Sequence, residues 1–346
     1  MKVSTAQPFQ LIYSLYEHEY LGYLLESFVV QLDEKGRLTL QHQNISSKNA
    51  MEFGAALNEI DYELIELMDE MQQEYIVLKF YKQRIKPADF FFKIYDKEKG
   101  DKVLQESIAH HLEQRRAKIL ERLGGKRVFE MGRDGEPAWK EISWEGEKAK
   151  VLFHFRRNED NTHYFPTMKH KGEKVDWQYN GSFLICHEPA WLVVGNKLLR
   201  FAKNVDGKKL KPFLNKKFIV VPRKVEETYY EKFVTQLVAS FDVYAKGFDI
   251  NTESFPVKPI IAFSELVQTT NGDLLKANAN VLVGDDESKI LFKLGFDYGP
   301  YQFPYDKAPN SSVKLEKKND SYVFHKVRRD ADTETDLVQR LYDSGL

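Results

Sequence analysis

Between Asn196 and Lys224 the chain carries Lys197, Arg200, Lys203, Lys208, Lys209, Lys211, Lys216, Lys217, Arg223 and Lys224 against one acid, Asp206. Phosphate recognition needs several cations on a shared face, because each contact releases counterions condensed on the nucleic-acid backbone. Phe201, Phe213 and Phe218 lie among these cations and could offer rings on which unpaired bases stack. The competing arrangement turns the rings inward and the lysines to water, and implies no ligand. The candidate contacts to DNA or RNA are Lys197, Arg200, Lys203, Lys208, Lys209, Lys211, Lys216 and Lys217.

Other chemistries fare less well. Cys186-His187-Glu188 sets a thiol beside an imidazole and a carboxylate. Successive strand residues point to opposite faces, so Cys186 and His187 would not pair, and a buried structural cysteine is the expectation. His110 and His111 diverge on a helix, while His154, His163 and His170 fall on separate strands or loops. None shows the i, i+4 pairing of a helical zinc site. Gly124-Gly125-Lys126-Arg127 and Gly207-Lys208-Lys209 lack the spacing of a phosphate loop, so nothing in the chain supports ATP hydrolysis, and no metal site or catalytic residue is assigned. Acid-x-Lys triplets such as Asp33-Glu34-Lys35 and Glu316-Lys317-Lys318 resemble pieces of a nuclease site. With 51 Lys and Arg and 52 Asp and Glu they are expected by chance.

Composition sets the bounds. A chain of 346 residues suits roughly two or three domains with a real core. The formal net charge of −1 supplies no global basic field, so any nucleic-acid contact must be local. One cysteine excludes an intramolecular disulfide and a cysteine-based zinc cluster, and fits a reducing cytoplasm. Charged and polar residues interrupt Met1 to Tyr20, so no signal peptide is expected there, and no run approaches a membrane span.

The elements that must position these residues are legible in part. Phe9 to Tyr16, Ser27 to Leu32 and Arg37 to Gln41 read as strands around a turn at Glu34-Lys35-Gly36, although Tyr20 to Phe28 also suits a helix. Ile60, Leu64, Leu67, Met68, Met71 and Tyr75 recur at helical spacing on an otherwise acidic segment. Its charges suit a solvated face or a basic partner. Pro87 to Tyr95 and Lys102 to Leu123 are further helices, the second stopped by Gly124-Gly125. Arg115, Arg116, Lys118, Arg122, Lys126 and Arg127 crowd its end, where cations complement the helix dipole.

Beyond Gly125 strands dominate. Asn180-Gly181, Gly195-Asn196 and Asp206-Gly207 are hairpin signals within Lys174 to Val221, and predict an antiparallel meander. A helix over Val225 to Tyr244 is expected to cover a sheet face. Leu275 to Val283 and Ile290 to Tyr298 alternate as strands. Asp332 or Thr333 can cap a last helix on Leu337, Val338, Leu341 and Tyr342, whose apolar stripe needs a surface in this domain or elsewhere.

Several segments together resemble the region upstream of the motor in bacterial Swi/Snf-type helicases, the DNA-dependent ATPases of helicase superfamily two. They are Glu188-Pro189-Ala190-Trp191, Leu210-Lys211-Pro212-Phe213-Leu214 before Phe218-Ile219-Val220-Val221-Pro222, and Leu294-Gly295-Phe296-Asp297-Tyr298-Gly299. Phe324, Arg328-Arg329-Asp330, Glu334, Leu337, Leu341 and Gly345-Leu346 follow in the same order. The resemblance implies an accessory N-terminal region, cut from a longer protein before its motor, that regulates the motor or binds DNA or RNA beside it. ATP and magnesium would belong to the missing motor only. The cysteine-rich zinc module with which many such helicases begin has no counterpart here.

The expectation is thus an α+β chain in three parts. Residues 1–124 form a mostly helical domain, 125–327 a large antiparallel β-sheet meander with one covering helix at 225–244, and 328–346 a linker helix leading toward a motor. Its expected role is non-catalytic and cytoplasmic, with nucleic acid and the motor of the same polypeptide as partners and no membrane partner. The alternative is a stand-alone scaffold that binds a basic protein through its acidic helix.

Overall fold

Gly22 takes φ 70°, a conformation that costs glycine little, and closes the turn that folds Phe9–His18 (β1) back on Gly22–Leu32 (β2). Gly36 at φ 72° does the same between β2 and Leu38–Ile45 (β3). These strands begin a sheet in the computed structural model, which describes residues 2–202, 205–265, 280–283, 289–305, 311–319 and 321–344. The chain divides into two units, Met1–Val151 with Thr167–Lys217, and Leu152–Pro166 with Phe218–Leu346.

In the first unit β3 is followed by helices Glu59–Asp69 (α1), Gln73–Phe80 (α2), Pro87–Ile94 (α3) and Lys102–Arg122 (α4). Val128–Glu130 (β4) then runs parallel to β1, and Lys140–Lys148 (β5) antiparallel to β4. Lys150–Arg157 (β6) and Asn161–His170 (β7) carry the chain into the second unit and back, and Glu173–Val175 (β8) pairs with the last residues of β7. Phe183–His187 (β9), Ala190–Val194 (β10) and Lys197–Arg200 (β11) make a meander whose last strand lies parallel to β5. One mixed sheet results, in the order β3-β2-β1-β4-β5-β11-β10-β9. Leu64, Met68, Phe90, Phe91, Ile108, Leu112, Ile119 and Leu120 of the helices bury one face of it against Tyr13, Leu15, Leu25, Ile142 and Trp191. Ile12, Phe28, Val30 and Phe129 pack on the other side.

This arrangement corrects the expected mostly helical N-terminal domain. The region opens with three long strands, and its helices serve as the cover of a sheet. The expected boundary at Gly124 falls inside the first unit, because β4, just beyond it, pairs with β1. The single stripe from Ile60 to Tyr75 is two helices, since Gln72 leaves the helical path at ψ 152°.

The large meander is also revised. Gly195-Asn196 turns a hairpin between β10 and β11, as expected. Asn180-Gly181 lies in a loop, because β8 pairs with β7 and not with Ser182 to His187. Asp206 caps the short helix Gly207–Leu210 (α5), its carboxylate accepting from Lys208 N–H. The aspartate and glycine that suit a turn suit a helix start equally well. A Cβ at Gly207 would also crowd His187 Cα at 3.1 Å.

In the second unit Ile219–Pro222 (β12), the 161–166 part of β7, the 152–157 part of β6 and Asp242–Lys246 (β13) form a sheet in the order β12-β7-β6-β13. A helix covers one face of it. Glu226–Tyr229 (α6), a π-wound turn at Tyr230–Val234 and Thr235–Ser240 (α7) run on continuously and set Tyr229, Phe233 and Phe241 against Phe153 and Tyr164. The helix is shorter than expected because Phe241 turns extended and β13 begins.

Asp249–Glu253 (β14), Lys258–Glu265 (β15), Asn280–Val283 (β16), Lys289–Asp297 (β17), Gln302–Pro304 (β18), Ser311–Lys318 (β19) and Ser321–Arg328 (β20) follow. They form two smaller sheets, β14-β20-β19 and β15-β17-β16 with β18 beside β17. Leu275, Ala277, Ala279 and Asp285-Asp286 lie outside the described residues. The fold is therefore α+β with several open sheets. Its parallel pairs β1/β4, β5/β11, β6/β13 and β14/β20 replace the expected all-antiparallel system.

The last helix, Ala331–Asp343 (α8), is capped by Asp330, whose carboxylate accepts from Thr333 N–H at 3.1 Å, and not by Asp332 or Thr333. Leu337 and Val338 pack on Phe296, Tyr298, Tyr301, Phe303 and Val327. Arg329 forks onto Glu334, and Tyr298 donates to the same carboxylate at 2.6 Å. The unit thus supplies a surface for Leu337 and Val338, while Tyr342 of the expected stripe is 62% exposed.

Candidate nucleic-acid interface

The basic stretch does not form one strand ladder. Lys197 stands exposed at the start of β11, Lys208 and Lys209 lie on α5, Lys211 begins the following 3-10 turn, and Lys216 and Lys217 precede β12. Lys208, Lys211, Lys216 and Lys217 are exposed and Lys209 is half-buried. Lys208 reaches Glu188 at 3.5 Å, a solvent-facing pair of small energetic consequence. Arg200 is withdrawn from the set, because its guanidinium lies over the Trp144 ring at 5.4 Å. Lys203 lies outside the described residues. Phe201 and Phe213 are buried, so neither offers a stacking face, whereas Phe218 is 51% exposed. Of the three rings of the stretch only Phe218 is presented to solvent, beside the exposed lysines.

A second surface was not singled out in the sequence. The side of the β12-β7-β6-β13 sheet away from its helix carries Phe218, Val220, His163, Phe165, His154, Arg156, Tyr244 and Lys246. Val220 pairs with His163, Tyr244 with His154 and Lys246 with Arg156, and cross-strand partners share a face. His154 stacks on Phe165 with ring centroids 5.0 Å apart and planes 13° off parallel, and Tyr244 meets His154 at 6.0 Å. Arg156 lies over Phe165 at 5.3 Å, and His163 meets Phe218 at 5.2 Å. Burial and the neighbouring Arg156 charge hold His154 below the ordinary imidazole range, so it stands neutral at pH 7. The signal available in the sequence was the second apolar parity of these strands: Leu152 and Phe165 alternate with the core residues Phe153 and Tyr164.

The two opposite charge clusters of the helical segment meet each other. The acidic helix α1 faces the basic end of α4: Arg122 pairs with Glu63 at 2.8 Å, Arg115 with Glu70 at 2.6 Å, and Lys126 with buried Asp61, which also accepts from Tyr13 at 2.6 Å. Two charge clusters of opposite sign in the sequence are thus partners, which leaves the acidic helix less to offer a basic protein. Cys186 is buried, and burial pushes its thiol well above the ordinary range, so it is an inert structural cysteine as expected. Its neighbour is Glu113 of α4, whose Oε1 accepts from the Cys186 thiol at 3.3 Å, from Glu188 N–H at 3.0 Å and from His187 N–H. Burial alone would raise the Glu113 carboxyl. The three donors outweigh it and hold the group below its usual range.

His325 of β20 comes nearest to a catalytic constellation. Its Nδ1 meets Glu253 of β14 at 2.7 Å and its Nε2 meets Glu316 of β19 at 2.9 Å. With both ring nitrogens engaged by carboxylates the imidazole has no lone pair for a substrate, and the cluster serves as a clasp across three strands. The hydrogen bonds to Glu253 and then Glu316 raise the imidazole above its ordinary value. A raised folded-state value gives stability that is present below the unfolded value and is lost as pH rises through the folded one. His325→Gln is therefore expected to flatten the decline in second-unit stability as pH rises above the ordinary imidazole value, read by urea denaturation at each pH. An unchanged profile would mean that the clasp carries no protonation-linked stability. Among the described residues no three His, Cys, Asp or Glu side chains are arranged to hold a metal ion, and no helix is long and apolar enough to cross a membrane.

No protein family, curated protein or solved structure matches this chain. The functional reading therefore rests on the two surfaces described above.

Proposed function

We propose that this chain is a non-catalytic nucleic-acid-binding region, of the accessory kind that regulates or assists an ATP-driven motor in Swi/Snf-type helicases. The observation that carries the reading is the solvent exposure of Lys197, Lys208, Lys211, Lys216 and Lys217. Asp206, the one acid of the stretch, is engaged at the start of α5. Mobile ammonium groups held out in solvent are suited to track a phosphate backbone without reading sequence. The accessory role is supported by the ordered run of short motifs from Glu188 to Leu341, and the DNA or RNA it binds would be the track of that motor.

The test replaces Lys208, Lys209, Lys216 and Lys217 together by alanine, three of them exposed and Lys209 half-buried. Affinity for a labelled oligonucleotide is expected to fall about tenfold or more. The slope of log affinity against log salt should become shallower by ~0.7 for each phosphate of a single strand that the variant leaves unneutralised. Wild-type affinity and slope in the variant would remove these lysines from the interface.

A further inference from the structure

We infer that the outward face of the β12-β7-β6-β13 sheet binds single-stranded nucleic acid, stacking unpaired bases on Phe218, Phe165 and Tyr244 while Arg156 and Lys246 take the phosphates. The inference rests on the nucleic-acid reading and deepens it by naming the form of nucleic acid, on a sheet face that shares Phe218 and Val220 with the basic stretch but none of its lysines. A sheet with one face on a core ordinarily turns polar side chains to water on the other. Here the inner parity is already filled: Phe153, Phe155, Tyr164 and Val221 are buried under the helix that runs from Glu226 to Ser240. The outer parity is aromatic as well, with Phe218 and Tyr244 51% and 52% exposed and Val220 42%. Exposed rings at this density mark a ligand surface.

The chemistry of the face selects among ligands. Arg156 and Lys246 are cross-strand partners side by side at one end of the ring row, so that end of the face is cationic. Asp242, the acid at its edge, lies 3.6 Å from Arg328. An apolar protein partner or a lipid tail would gain nothing from guanidinium and ammonium groups set among the rings. A nucleic-acid strand uses both, with flat bases for the rings and phosphates for the cations. Duplex DNA hides its base faces in the stack, so only an unpaired strand presents them. The contacts Tyr244–His154–Phe165 make a continuous platform across three strands, about one base per strand spacing.

The experiment titrates the full chain into a labelled strand of about 12 nucleotides, as DNA and as RNA, and into the matching duplex, by fluorescence anisotropy at two salt concentrations. Phe218→Ala and Tyr244→Ala are each expected to weaken single-strand binding about fivefold to tenfold, to leave duplex binding unchanged, and to keep the wild-type salt slope, because no cation is removed. Tyr244→Phe retains the ring and should bind as wild type, which separates stacking from a hydroxyl contact. Arg156→Gln should instead make the slope shallower. If the ring variants bind single strands normally while the four-lysine variant does not, the nucleic-acid reading stands and this face is not its base platform. Preference for the duplex, or no binding in either form, overturns the inference. Tighter binding of the DNA or of the RNA strand identifies which one the face takes.

Discussion

Replacing Glu226 with alanine is expected to destabilise the second unit by about 3–5 kcal/mol, enough to consume much of the stability of a domain of this size. The Glu226 side chain is 1% exposed. It accepts from Arg157 Nε at 3.0 Å and Nη2 at 2.8 Å, from Thr162 Oγ1 at 2.5 Å, and lies 3.6 Å from Arg223. The Arg157 guanidinium in turn lies over the Tyr322 ring at 5.2 Å. Alanine would take the buried carboxylate from the Arg157 guanidinium and one of two partners from Thr162 Oγ1, which keeps Tyr230 at 2.9 Å, and breaking a buried ion pair costs more than the pair itself is worth. For that reason the double replacement Glu226→Ala with Arg157→Met should recover part of the loss. Urea denaturation decides the matter: a single variant within ~0.5 kcal/mol of wild type would show that the pair is not structural.

A comparable effect is expected in the first unit for Arg116→Ala. This arginine of α4 is buried, donates from Nε to Tyr23 O at 2.7 Å and from Nη2 to Leu21 O, and meets Glu113 at 3.3 Å. Gly22, at φ 70° between those carbonyls, leaves room for it, since a Cβ there would lie 3.4 Å from Arg116 Nη2. One side chain thus holds the β1–β2 turn to α4, and through Glu113 holds the β9–β10 turn as well. Its removal takes this donor from two carbonyls and the cation from Glu113 Oε2, while Glu113 Oε1 keeps its three donors, an expected loss of about 3–5 kcal/mol. Arg116→Lys should be only partly protective, because a single ammonium replaces a planar fork of donors. A thermal midpoint unchanged in Arg116→Ala would contradict this role.

The legible parts of the fold are those fixed by neighbours in sequence. Asp101 starts α4 by accepting from Leu104 N–H, Gly125 at φ 79° follows its end, and Gly195-Asn196 turns β10 into β11. The illegible parts depend on distant pairing. Nothing local says that Val128–Glu130 lies beside β1 after four intervening helices, or that β11 runs parallel to β5. The charged clusters show the same limit, since Glu63 and Arg122 are each unremarkable until α1 and α4 are seen side by side. For the candidate site, the cations were visible as a composition. Which rings accompany them was not, because alternation gives two parities and only the helix over the sheet shows which is core. Phe213 went inside and Phe218 stayed out.

The central claim is tested most directly by anisotropy titration of the unmodified chain with single-stranded and duplex oligonucleotides at low and physiological salt. The account predicts binding that is tighter for the single strand and that weakens steeply as salt rises. Absence of binding at low salt, or an affinity indifferent to salt, would contradict it.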